Sequence, residues 1–197
     1  MTPKSYGEDR NGTNKITVIT GLPGSGKSHL LKEKIIPDLR KNGKKVICVD
    51  PNCEYKPSRG FMVYRIQDYD NAEAEFETMI RYYMTDEEGK KRKPDCIIVD
   101  ESNVVFQKLT LPPYTKKLVN TLRHEKIDLV VVARRPVDVN ITMSELARER
   151  YVFRVSGVND IKRLNDIMQD LGDEALALGV HDYIHIVDDH EKKLVKA

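Results

Sequence analysis

Apolar runs of strand length recur at residues 16–20, 46–50, 96–100, 129–133 and 151–155, with amphipathic stretches between them. Several are nearly unbroken in valine and isoleucine, the pattern of strands covered by helices on both faces. Their alternation with helical segments predicts an α/β fold, a mostly parallel twisted sheet flanked by helices, with these five strands in its interior. A further short strand is predicted at 61–66. Residues 183–187 and 193–195 flank Asp188-Asp189-His190-Glu191 and predict a C-terminal β-hairpin. Helices are predicted over 27–42, ended by Gly43, over 71–84, over 113–125, and over 159–172, ended by Gly172. Shorter ones are expected at 142–149 and 173–178. The segment 85–94, dense in Asp, Glu, Lys and Arg, reads as a solvated loop.

Residues 1–14 carry no periodicity and are rich in turn formers, so they are expected to be a disordered lead-in, with residues 15–197 forming one domain. Charge excludes little: 33 Lys plus Arg against 31 Asp plus Glu leave +2, too small a net field to commit the chain to a polyanion. Two of the three cysteines, Cys48 and Cys96, lie inside apolar runs and read as small hydrophobes, which points to a reducing, cytoplasmic setting. There is no apolar stretch of spanning length, so membrane insertion is not expected. His29, His124, His181, His185 and His190 lack metal-ligand spacing and read as polar surface. Tyr82 and Tyr83 share a predicted helix with Phe76 and Met79, spacing that more often builds core than a stacking platform.

The chemistry is concentrated after the first strand. Gly21-Leu22-Pro23-Gly24-Ser25-Gly26-Lys27-Ser28 fills every fixed position of GxxxxGK[ST], a match expected by chance in about one per cent of chains this long. The strand before it and the helix after it are what the mechanism needs. Loop glycines turn backbone N–H groups inward, and the helix N-terminus adds partial positive charge. Lys27 would reach the β- and γ-phosphates and the Ser28 hydroxyl would ligate Mg²⁺. His29, the next residue, is included among the nucleotide-contacting positions. ATP with Mg²⁺ is therefore the expected ligand.

Four apolar residues followed by Asp100 and Glu101 form a second signal, since ligands of open α/β sheets bind at the C-terminal ends of strands. Asp100 would hold Mg²⁺ through a water, and Glu101 would polarise an attacking water, so the pair suggests hydrolysis. Thymidine-kinase-like enzymes also carry an Asp-Glu pair here, but these three scattered cysteines cannot supply the zinc set that such enzymes share. A phosphotransferase acting on a small hydroxyl compound, whose lid would be the basic stretch Lys90–Lys93, and a non-catalytic ATP-binding regulator remain as alternatives.

Four weaker segments, read in order, resemble one family. Asp50-Pro51-Asn52-Cys53-Glu54-Tyr55 is similar to the Asp-Pro-x-Gly-Glu-Tyr segment of archaeal HerA helicases, with Cys53 where the Gly usually stands. The stretch from Leu122 through Arg123 to Asp128 resembles the Arg-containing approach to the fourth strand in FtsK, HerA and viral packaging ATPases. Val132-Ala133-Arg134-Arg135-Pro136 resembles their Ala-Thr-Gln-Arg-Pro. Tyr151-Val152-Phe153-Arg154-Val155-Ser156, with Asp160, Arg163, Leu164 and Asn165 beyond it, looks like the last strand and helix of the FtsK motor.

The resemblance covers residues 15–187 and implies a RecA-like (ASCE) P-loop NTPase of the FtsK–HerA superfamily, most like the small genome-packaging ATPases of membrane-containing and archaeal viruses. It implies a homo-oligomeric, usually hexameric ring that hydrolyses ATP to translocate double-stranded DNA, with capsid or portal components as further partners and a host-cytoplasmic or virion-associated location. A cellular HerA-type translocase is the related alternative. Carried over by position, Arg123 becomes an arginine finger for a neighbour's site, or else a surface Arg pairing with Glu125. Arg134 takes the place of a Gln that senses the γ-phosphate. An Arg can contact phosphate but cannot accept a hydrogen bond from the attacking water. Arg154 and Arg163 would face an adjacent subunit or solvent.

Overall fold

The computed structural model describes residues 14–188 and 190–197. Residues 1–13, which hold nearly all of the expected lead-in, and Asp189 in the hairpin turn lie outside the described residues. Asn14 is tied down, its Nδ2 donating to Asp128 Oδ1 at 3.3 Å.

Eight strands form one sheet: β1 (Ile16–Thr20), β2 (Val46–Val49), β3 (Phe61–Tyr64), β4 (Cys96–Val99), β5 (Asp128–Ala133), β6 (Ala147–Phe153), β7 (Tyr183–Val187) and β8 (Glu191–Val195). Their order is β3-β2-β4-β5-β1-β6-β7-β8. The first six in that order run parallel, and β7 and β8 close one side antiparallel. The five predicted core strands are all interior, and β5 lies between β1 and β4. That placement decides which residues meet at the sheet's C-terminal edge.

One face is covered by α3 (Ala72–Thr85), α6 (Pro113–Glu125) and shorter helices, burying Val18, Ile97, Val99 and Val131 with Phe76, Ile80, Leu118 and Leu122. The other carries Ile19, Cys48, Ile98 and Val130 under Leu31, Ile35 and Leu39. Those three leucine and isoleucine residues lie on one helical rod: α1 (Lys27–Leu30) passes through a single π-helical turn, Leu31–Ile35, into α2 (Ile36–Lys41). The rod begins and ends as predicted, but the π turn was not visible in the sequence.

Four expectations are corrected. The charged stretch 85–94 contains α4 (Glu87–Lys91), capped by Asp86, whose carboxylate accepts from the backbone N–H of Glu88 and Gly89. The helix expected at 142–149 ends as α7 (Ile141–Glu145), and β6 starts at Ala147. The helix expected to run unbroken from 159 to 172 is two, α8 (Val158–Ile167) and α9 (Leu171–Leu176), with Met168 extended between them; this also replaces the helix expected at 173–178. Gly172 therefore sits inside α9 and terminates nothing. It serves close packing, because a Cβ there would run into the main chain of Ile161. Finally, His185 departs from the expected polar surface, while His29, His124, His181 and His190 are exposed.

β6 begins with residues of good helix propensity because its early positions are satisfied from far along the chain. Glu149, 5% exposed, accepts from Lys15 Nζ (2.7 Å), His185 Nε2 (2.8 Å), Tyr151 Oη (2.9 Å) and Thr17 Oγ1 (3.3 Å). Burial alone would raise this carboxyl, but His185 and Lys15 hold it down, from an ordinary 4.5 to about 2. A depressed carboxylate pKa adds stability above the unfolded value, and the contribution is lost as pH falls toward the folded one. Acid unfolding should therefore steepen between pH 4.5 and about 2. Glu149→Gln should shrink the stability difference between pH 7 and pH 3 by about 2 kcal/mol, measurable by denaturant titrations at the two pH values. An unchanged pH dependence in the variant would show that the cluster is not what holds the proton off.

Candidate active site

The loop after β1 turns on three glycines with positive φ, Gly21 (150°), Gly24 (74°) and Gly26 (110°). Gly21 is packed so that a Cβ would strike Phe153 Cβ, and a Cβ on Gly26 would lie 3.0 Å from His181 Nδ1. Between them, Leu22 N–H donates to the Arg154 carbonyl at 2.9 Å, tying the loop to the end of β6. Pro23 and Gly24 are exposed at the crest, and Ser25 is buried with no hydrogen-bond partner for its Oγ. A buried unpaired hydroxyl in a glycine-rich loop fits a loop shaped to be completed by a polar ligand. Ser28 is half-buried at the start of the helix, and His29 is exposed on it.

Lys27 is 8% exposed and folds back onto the loop, its Nζ donating to the carbonyls of Gly21 (2.7 Å) and Leu22 (2.9 Å). Burial lowers its pKa, while the carboxylates of Glu101 and Asp100 pull it back up. The loop lysine and the acidic strand end thus share one electrostatic site.

Asp100 follows β4, and burial raises its pKa against two hydrogen bonds that lower it. Oδ1 accepts from the Glu101 N–H (3.0 Å) and Oδ2 from the Tyr55 hydroxyl (2.9 Å). Glu101 adopts the left-handed region (φ 49°, ψ 53°), uncommon for a residue with a Cβ and found where the surroundings impose it. Its carboxylate meets Arg134 Nε at 2.9 Å (Oε1) and 2.8 Å (Oε2). Arg134 follows β5, the strand between β1 and β4, so it leaves the sheet at the same edge as the loop and the acidic pair. A hard-oxygen set of one hydroxyl (Ser28) and one carboxylate (Asp100) suits Mg²⁺, which keeps several of its waters.

The sequence matches no protein-family model and no curated protein. Solved structures are similar along most of the chain. The genome packaging NTPase B204 from Sulfolobus turreted icosahedral virus 2, in complex with ATP-γS, is similar over 92% of this chain and 97% of its own, with 20% identity and a TM-score of 0.79. The pCW3 conjugation coupling protein TcpA, with ATPγS, is similar over 93% of this chain and 60% of its own (17% identity, TM-score 0.66). VirB4 of Thermoanaerobacter pseudethanolicus is similar over 93% and 89% (11% identity, TM-score 0.65). The fold is that of a RecA-like P-loop NTPase.

Within this RecA-like sheet the remaining predicted residues separate by edge. Arg123 is exposed in the last turn of α6, five residues before β5 begins, so it lies at the edge opposite the P-loop and cannot reach its own site. Glu125, its expected surface partner, is held instead by Lys93 at 2.9 Å. The Lys90–Lys93 stretch also leads into the start of β4, at that far edge, so it does not overhang the nucleotide. Arg154 is exposed and Arg163 half-buried, while Asp160 is buried against Arg135 at 3.0 Å. Tyr83 packs on the core with Phe76 and Met79, whereas Tyr82 is exposed.

Sequence reasoning missed the role of Tyr55. Segment 50–55 doubles back at the end of β2: the Tyr55 N–H donates to Asp50 Oδ2 (2.8 Å), and its hydroxyl reaches Asp100 on the adjacent strand. Burial, with Asp100 next, pushes the Tyr55 pKa up, so it remains a hydrogen-bond donor. Cys53 takes φ 57° where the resembling segment has glycine, so the unusual residue keeps the glycine-like turn. The signal was in the segment's ending in a tyrosine, but only strand order brings that tyrosine to Asp100. On the proposal that Asp100 holds Mg²⁺ for ATP turnover, Tyr55→Phe should raise the Mg²⁺ concentration for half-maximal turnover about tenfold with little change in Tm, by loss of the hydrogen bond that orients this carboxylate. An unchanged Mg²⁺ titration would make the bond purely structural.

Proposed function

We propose that this chain is an ATP-hydrolysing motor of the FtsK–HerA type that translocates double-stranded DNA, used for viral or mobile-element genome packaging. The observation that carries the reading is the pairing of a built P-loop with Glu101, a carboxylate one residue beyond Asp100 at the same sheet edge. An acceptor-phosphorylating enzyme has no need of a carboxylate to polarise water there, and the basic stretch that would form its lid stands at the opposite edge. That the similar proteins include a genome packaging NTPase and a conjugation coupling protein supports the DNA-handling part.

In this reading the backbone N–H groups of residues 21–28 and the Lys27 ammonium bind and orient the β- and γ-phosphates. Ser28 and, through water, Asp100 would hold Mg²⁺, which when bound neutralises charge developing on the phosphate oxygens. Glu101 orients a water in line with the γ-phosphorus and takes up its proton. Arg123, too distant to serve its own site, stabilises transition-state charge in the next subunit of a homo-oligomeric ring.

A second reading, an ATP-binding regulator without turnover, is favoured by one observation: Glu101 is already occupied by Arg134. One experiment separates the readings, the ATPase rate with and without double-stranded DNA alongside sizing in ATP. DNA-stimulated turnover by a ring supports the motor. Binding without turnover supports the regulator, and transfer to a small acceptor would overturn both.

A further inference from the structure

A bound triphosphate has two ends, and the strand order separates the surroundings they meet. In the order β4-β5-β1-β6-β7, Asp100, Glu101 and Arg134 leave the sheet on one side of the phosphate-binding loop, and the end of β6 and the start of β7 lie on the other, Phe153 pairing with Tyr183. A nucleotide lying along the loop with its γ-phosphate at Asp100 and Glu101 therefore carries its nucleoside toward β6 and β7. The segment 179–182, between α9 and β7, stands there. A Cβ added to Gly26 would lie 3.0 Å from His181 Nδ1, 3.2 Å from Phe153 Cε1 and 3.5 Å from His181 Cα, so this histidine is packed directly against the loop. The turn that holds it is tight and tethered: a Cβ on Gly179 would come within 2.8 Å of Asp182 Oδ2, and Asp182 Oδ1 accepts from the Ala197 N–H at 3.0 Å. His181 itself takes the left-handed region (φ 69°) and is exposed. Among the described residues its ring has no hydrogen bond, ion pair or ring contact. An exposed ring gains little from packing, so a strained backbone that presents it beside a phosphate-binding loop points to a ligand.

We propose that His181 contacts the nucleoside of the bound triphosphate, its imidazole giving the base a face to stack on. Recognition by stacking reads the area of a base rather than its edge. The site then takes purine nucleoside triphosphates, ATP and GTP alike, in preference to pyrimidine ones. The proposal rests on reading the loop as a triphosphate site with its γ end at Asp100 and Glu101.

His181→Asn tests it, because asparagine tolerates the left-handed backbone and lacks the ring. Calorimetric titrations with ATPγS, CTPγS and inorganic tripolyphosphate, each with Mg²⁺, compare ligands that share the phosphates and differ in the base. The substitution should weaken ATPγS by about fivefold to 10²-fold, and it should leave tripolyphosphate unchanged within about twofold. The parent's preference for ATPγS over CTPγS should shrink with it. An unchanged tripolyphosphate affinity reports an intact loop, and His181→Gly, which also suits φ 69°, replaces His181→Asn if the latter does not fold. Equal losses for ATPγS and tripolyphosphate would make His181 a support of the loop and overturn the base contact, as would an unchanged ATPγS affinity, with the triphosphate-site reading left standing. A parent that binds none of the three would remove that reading itself.

Discussion

Glu101→Gln is expected to reduce ATP turnover by about 10²–10⁴-fold while retaining affinity for ATP, the range associated with loss of a positioned general base. The substitution keeps the side chain's shape, since Gln is isosteric with Glu, but it removes the charge and replaces one acceptor oxygen with an NH2 donor. Single-turnover hydrolysis and an equilibrium nucleotide titration on the same preparation measure the two quantities separately. Turnover equal to the parent would remove Glu101 from the mechanism. A parallel loss of binding would instead place it in uniform recognition of the phosphates.

The second large effect belongs to Lys27. Its Nζ is buried among loop carbonyls, and a triphosphate replaces those neutral acceptors with charged ones, each such bond being roughly twice as strong. Lys27→Ala should therefore weaken ATP binding by tenfold to about 10²-fold and take turnover with it. The fold should survive, because Lys27 contributes two hydrogen bonds to its own loop and none to a distant element. A fluorescence titration with normal affinity would contradict the loop assignment.

The sheet's interior was legible because β1, β2, β4 and β5 are nearly unbroken apolar runs, buried on both faces. The P-loop was legible because its chemistry is local, with the glycines, lysine and serine within eight residues of one another. Where reading failed, the deciding contacts were remote. Ala147, Arg148, Glu149 and Arg150 look helical by propensity, and it takes Lys15 just before β1, Thr17 in β1 and His185 in β7, with Tyr151 nearby, to make a buried Glu149 tenable in a strand. Gly172 looks like a helix stop, yet it is there for the approach of Ile161. The Arg134–Glu101 pair was out of reach for a topological reason: nothing local in the chain says that β5 inserts between β1 and β4.

Arg123 adds a consequence of kinetic order. If the cation that steadies the departing phosphate stands at the far end of the sheet, an isolated chain owns every part of the machine except the one it lends. Turnover per chain should then rise with protein concentration until assembly saturates. Mixtures of Arg123→Ala with Glu101→Gln chains, each inactive alone, should regain some rate, because one partner supplies the base and the other the finger across a shared seam.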